Sequence, residues 1–94
     1  MKVTWDEKKR KQVIKDHGVD LAKIEDILDD PYAIDFGDAG YSTEEERRIL
    51  VGKTAAFGLV AVVYTVRGQD TRFITARRAE NWIVREYETQ RRRY

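Results

Sequence analysis

A chain of 94 residues has room for one domain (1–94), and 41% hydrophobic with 11% aromatic residues is enough to give it a core. With 0 Cys, disulfide staples, thiol nucleophiles and thiolate metal sites are excluded. No apolar run approaches the roughly 18 residues of a membrane helix. Met1, Lys2 and Val3 lead straight into Trp5 and Asp6 rather than into a charged-then-apolar leader, so neither membrane insertion nor secretion is expected.

The net charge is only +1, yet the signs are segregated along the chain. Residues 1–17 carry six basic and three acidic groups, whereas 18–46 carry one basic and ten acidic. Residues 47–66 add three basic groups, and 67–94 carry eight basic against four acidic. If folding gathers the two basic ends on one face, that face attracts polyanions although the whole is nearly neutral.

In chain order, Val3 and Trp5 alternate with polar neighbours as in a short strand, and Asp6 can cap a helix that begins at Glu7. Val13 and Ile14 form its apolar stripe, Lys8, Lys9, Lys11 and Lys15 lie on its polar side, and Gly18 is placed to close it. Asp20 can cap a second helix, carrying Leu21, Ile24, Ile27 and Leu28 until Pro31 ends it. Tyr32, Ile34 and Phe36 alternate as a strand, and Gly37 to Thr43 has the composition of a loop. Arg47 to Lys53 reads as a strand, Thr54 to Gly58 as a hairpin turn, and Leu59 to Val66 as a strand buried on both faces at the centre of the sheet. After a turn at Arg67 to Asp70, Thr71 to Thr75 reads as a strand with Phe73 and Thr75 on one face and Arg72 and Ile74 on the other. A closing helix from about Ala79 carries Trp82, Ile83 and Tyr87 on one stripe and Arg91, Arg92 and Arg93 at its end. The expectation is an α+β domain: an antiparallel sheet of three to four strands with two N-terminal helices and one C-terminal helix.

Four groups of residues carry a resemblance. They are Trp5-Asp6 with Lys9, His17-Gly18-Val19 and Asp30-Pro31; Glu46-Arg47 with Gly52; Tyr64-Thr65 with Arg67-Gly68; and Arg72 with Ala76-Arg77-Arg78-Ala79 and Tyr87. In this order and at these separations the chain resembles the BrnT family, ribonuclease toxins of a bacterial type II toxin–antitoxin system. The resemblance implies a fold like the RelE-type microbial ribonucleases, RNA endonuclease activity with no metal or other cofactor, and a cytoplasmic location. It also implies neutralisation by a ribbon-helix-helix, BrnA-like antitoxin in a heterotetramer, through which alone DNA would be contacted. Three positions depart from the family pattern: Val13 where an Asn is common, Asp16 where a Lys is common, and Ile83 where a Glu is common.

RNA carries its own nucleophile, the 2′-hydroxyl, so a protein that cuts it supplies a base, an acid and cations for the charge growing on the phosphate. Arg72 and Arg77 suit the last role, since a guanidinium can hold two phosphate oxygens and never titrates; ion pairs to Asp70 and Glu80 are the alternative. His17 can take and give a proton near neutrality, or can simply satisfy the end of its helix. Glu46 and Tyr87 complete the catalytic candidates, against a structural pair with Arg47 or Arg48 for the one and core packing for the other. Lys8, Lys9, Lys11, Arg67 and Arg78 are candidates for RNA binding or a solvated surface, and Arg91, Arg92 and Arg93 for antitoxin contact or a frayed tail. The acidic cluster around Asp26, Asp29 and Asp30 lacks calcium-loop spacing, so no metal is expected there. The competing functions are a non-catalytic RNA-binding module and an antitoxin-binding module that assists operon repression.

Overall fold

The structure, a computed structural model, describes residues 2–38 and 46–92. Of the expected loop from Gly37 to Thr43, Gly37 and Asp38 instead extend a strand, and residues 39–43, with Glu44, Glu45 and Arg93, lie outside the described residues. The elements are β1 (Val3–Thr4), α1 (Glu7–His17), two 3-10 turns (Leu21–Lys23 and Glu25–Asp29), β2 (Ile34–Asp38), β3 (Arg48–Thr54), β4 (Gly58–Arg67), β5 (Asp70–Arg78) and α2 (Asn81–Arg92).

The local reading of α1 matches its ends. The Asp6 carboxylate accepts from the Lys8 and Lys9 amides at 2.9 and 3.2 Å, and Gly18, at φ 69°, takes the left-handed turn that sends its amide to the Ile14 carbonyl.

The expected architecture is corrected in two respects. The sheet has five strands in the order β1-β5-β4-β3-β2 and is mixed, because β1 runs parallel to β5 while the other pairs are antiparallel. Two residues are too few for alternation to reveal a partner, and β1 finds its partner at the far end of the chain, Val3 opposite Thr71 and Thr4 opposite Arg72. The second N-terminal helix is likewise absent; two 3-10 turns take its place. Leu21, Ile24 and Ile27 recur every three residues, the 3-10 period, and all three are fully buried. Ile24, at φ −120°, separates the two turns.

Cross-strand partners share a face, so the register sorts the side chains. On the first face Val60, Val62, Phe73 and Ala76 pack with Val13 of α1, Val19 and the buried residues of the 3-10 turns. On the second face Val51, Ala61 and Ile49 lie under Ala79, just before α2, and Ile83 in its first turn. Gly52 marks where the second turn lies directly on β3: a Cβ there would sit 2.7 Å from Ile27 Cγ1. β4 is the central strand, as its apolar run predicts.

Candidate functional site

Arg72 and Arg77 are five residues apart on β5, and in a regular strand they would project from opposite faces. The register of β5 slips between Val63 and Tyr64, so Tyr64 opposes Phe73 and Val63 opposes Thr75, leaving Ile74 as the extra residue of a β-bulge. In consequence Arg72 opposes Thr65, Thr75 opposes Val63 and Arg77 opposes Ala61, all on the second face. The expectation that Phe73 and Thr75 share a face fails at this bulge. The separation of Arg72 from Phe73 holds, with Phe73 buried on the first face.

A cleft of about 380 Å³ at one end of this region is lined by Lys9, Arg47, Arg67 and Arg72, with Asp6, Phe73 and Ile74. Four cations from α1, the start of β3, the end of β4 and β5 therefore meet in one place. Sequence reasoning missed Arg47 as a site residue. The signal was there, since Arg47, Ile49 and Val51 alternate and the last two belong to the second face. The buried Thr65 hydroxyl donates to the Glu46 carbonyl at 2.7 Å and fixes the backbone beside Arg47.

The neighbouring Arg48 opposes Tyr64 on the first face. It donates to Asp35 at 3.1 Å and to Glu46 at 2.8 Å, and Tyr64 donates its hydroxyl to Asp35 at 2.8 Å. Burial raises the Asp35 carboxyl, but Arg48, the Gly37 amide and Tyr64 more than offset it and hold it below the usual carboxylate range. Burial and Asp35 push the Tyr64 phenol upward. The Glu46 side chain is thus committed to Arg48 rather than to the cationic cleft.

Further along the second face, His17 and Arg77 line a cleft of about 390 Å³ with Phe36, Ile49, Trp82 and Ile83. Phe36 reaches it from a second irregularity, a register shift between Asp35 and Gly37 on β2. Arg77 is paired with Glu80 at 2.8 Å, both about half exposed. Of the three departures from the family pattern, Ile83 is buried at the margin of this cleft and Val13 lies in the core. Asp16 accepts from Gln12 at 2.8 Å on the exposed side of α1.

The other candidates are placed apart. Arg78 opposes Val60 on the first face and lies over the Phe57 ring at 6.0 Å. Tyr87 is buried, and its hydroxyl donates to Asp30 at 2.7 Å; burial and this carboxylate push its pKa up to about 12. Lys8 and Lys11 are exposed on α1 and line neither cleft. Arg91 lies over the Tyr32 ring at 5.9 Å, and Arg92 is exposed beside it at the end of α2. Among the described residues no three His, Asp or Glu side chains are grouped to hold a metal, and no helix is long and apolar enough to cross a membrane.

Comparison with curated proteins gives no match. Among solved structures, the 1.1 Å crystal structure of the Brucella abortus ribonuclease toxin BrnT aligns with a TM-score of 0.64 and 28% identity, over 86% of this chain and 99% of that one. The family model for the ribonuclease toxin BrnT of type II toxin–antitoxin systems matches residues 5–81, which span the cationic cleft, His17 and Arg77. The chain therefore belongs to the BrnT family of ribonuclease toxins, each the toxin half of a pair with an antitoxin partner.

Proposed function

We propose that the chain is an RNA endonuclease that cleaves by attack of the 2′-hydroxyl on the adjacent phosphate, with arginines in place of a metal ion. The observation that carries this reading is the bulge at Ile74, which sets Arg72 and Arg77 on one sheet face. Their partners Thr65 and Ala61 are four residues apart on β4, or about 13 Å along the strand. A phosphate lying over Ile74 and Thr75 is about half that distance from each, within reach of an extended guanidinium. Arg72, with Arg47, Arg67 and Lys9 behind it, approaches from one side, and Arg77 and His17 from the other.

In the reaction His17 takes the 2′-hydroxyl proton, the oxygen bonds to phosphorus, and the 5′-oxygen leaves with a proton returned to it. The products are a 2′,3′-cyclic phosphate and a 5′-hydroxyl. The negative charge on the phosphate in the transition state falls to the arginines. Arg77 exchanges Glu80 for a phosphate oxygen, one charge-assisted pair for another. The antitoxin, of ribbon-helix-helix, BrnA-like type, would cover this surface and meet Arg91 and Arg92 at the end of α2, in a heterotetramer acting in the bacterial cytoplasm.

The test is incubation of the purified protein with RNA in EDTA. Cleavage to 2′,3′-cyclic or 3′-phosphate ends is expected, falling about a hundredfold in Arg72→Ala with an unchanged far-UV CD spectrum. Intact RNA, or full activity in Arg72→Ala, overturns the assignment. Ile83 favours a second reading, RNA binding without cleavage, because an apolar side chain stands where the family commonly has a carboxylate. Salt-dependent binding with no product selects that reading.

A further inference from the structure

We propose that the apolar cleft lined by Phe36 and Trp82 is a nucleobase subsite, holding the base next to the bound phosphate; this rests on the RNA reading above. Trp82 is 52% exposed and Phe36 39%, a large apolar surface to leave in water unless something covers it. The two rings touch edge to face, with centroids 6.2 Å apart and planes at 72°, and so form adjoining walls of the cleft, against which a base would stack on one ring face rather than between the two. Ile49, Val63 and Ile83 line it with aliphatic surface.

The indole is held in place. Trp82 Nε1 donates to Glu80 at 3.2 Å, and the same carboxylate pairs with Arg77 at 2.8 Å, so Glu80 keeps its hold on the indole when Arg77 exchanges it for phosphate. Position across the sheet sets the occupant. Thr75, beneath the phosphate, opposes Val63, and Val63 opposes Ile49, so the slot lies about 5–10 Å from the phosphate across the strands toward β3, close to the step from a phosphate to its own base. A base has apolar faces for the rings and polar edges for His17, Thr75 and Arg77 at the rim. The volume of about 390 Å³ is at the small end for ligand sites and suits one planar base rather than a helix of a protein partner.

The experiment measures fluorescence anisotropy of a short, labelled, fully 2′-O-methylated oligoribonucleotide, which binds but is not cut. Trp82→Ala is expected to weaken binding about tenfold while leaving the slope of log affinity against log salt unchanged. Arg72→Ala, by contrast, flattens that slope by about one. An abasic version of the oligonucleotide should lose as much with the wild-type protein and nothing more with Trp82→Ala, and Trp82→Phe should restore most of the affinity. Thermal melting by CD checks that these variants fold. Wild-type affinity in Trp82→Ala, or the same tenfold loss with the abasic probe, overturns the subsite while the RNA reading stands. If the wild-type protein fails to bind the oligonucleotide, both fall together. Loss of the antitoxin with retention of the oligonucleotide makes the slot a protein contact and also overturns the proposal.

Discussion

The Asp30 carboxylate accepts from the Tyr32 amide through Oδ1 at 2.8 Å, and from the Lys53 amide and the Tyr87 hydroxyl through Oδ2 at 2.7 Å each. One side chain thereby ties the turn before β2 to β3 and to α2. Burial raises this carboxyl, and the three donors more than offset that, so it stays ionised below the usual carboxylate range. Asp30→Ala strands a buried phenol and two amides and should cost about 2–3 kcal/mol in urea denaturation. Tyr87→Phe, which removes one of the three bonds, should cost about 1 kcal/mol. The phenol titrates near 10 unfolded and at about 12 folded, so its stabilisation is complete below pH 10 and is lost as pH rises through about 12. Tyr87→Phe should lack that alkaline loss, which a urea series across the range would read. Through this bond Tyr87 ties α2, and with it Trp82, to Asp30.

At the scale of elements, α1 contributes its first turn to the cationic cleft, because the capping residue Asp6 and Lys9 both line it. Asp6→Asn keeps a capping oxygen but removes the one negative charge in that lining. It should leave the melting temperature nearly unchanged and tighten binding of the 2′-O-methylated oligoribonucleotide about threefold; weaker binding would contradict the cleft's role. Strands and caps were legible in the sequence wherever a local rule governs them: Asp6 and Gly18 bound α1, and the unbroken apolar run of β4 announced a central strand. What escaped depended on distant partners. Nothing local to Val3 and Thr4 tells of pairing with Thr71 and Arg72, and nothing in Arg72 to Thr75 announces the extra residue at Ile74. The same limit hid the site. Arg72 was recognisable, and alternation with Ile49 and Val51 marks the face of Arg47, but the grouping of Arg47 with Lys9, Arg67 and Arg72 follows only from the register of the assembled sheet. The second helix was misread because nine residues with apolar positions at 21, 24 and 27 fit an α-helical stripe loosely and a 3-10 repeat closely.

For the whole molecule, the charge blocks of the sequence carry over to the two faces of the sheet only in part. The acidic 3-10 turns share the first face with the basic helix α1, Arg48 and Arg78, while Arg47, Arg67, Arg72 and Arg77 gather toward the second. Asp20, Asp30 and Asp35 are all held below their usual range, the first chiefly by Arg10, which donates to it at 2.8 Å. Their stabilisation is present above the unfolded carboxylate value of about 4 and is lost as pH falls through the depressed folded values. The urea midpoint should therefore drop on acidification below about pH 4, and Arg10→Met, lacking one of these pairs, should start lower and fall less steeply. Placement of β5 as the last strand in sequence, with β1 as its edge partner, bears on how the toxin comes into being. While a ribosome is still translating the message, a nascent chain ending before residue 70 has Lys9, Arg47 and Arg67 but neither Arg72 nor Arg77. Only after β5 emerges and inserts between its neighbours do the pieces of the cleft come together, so the cleft belongs to the finished chain and not to its fragments.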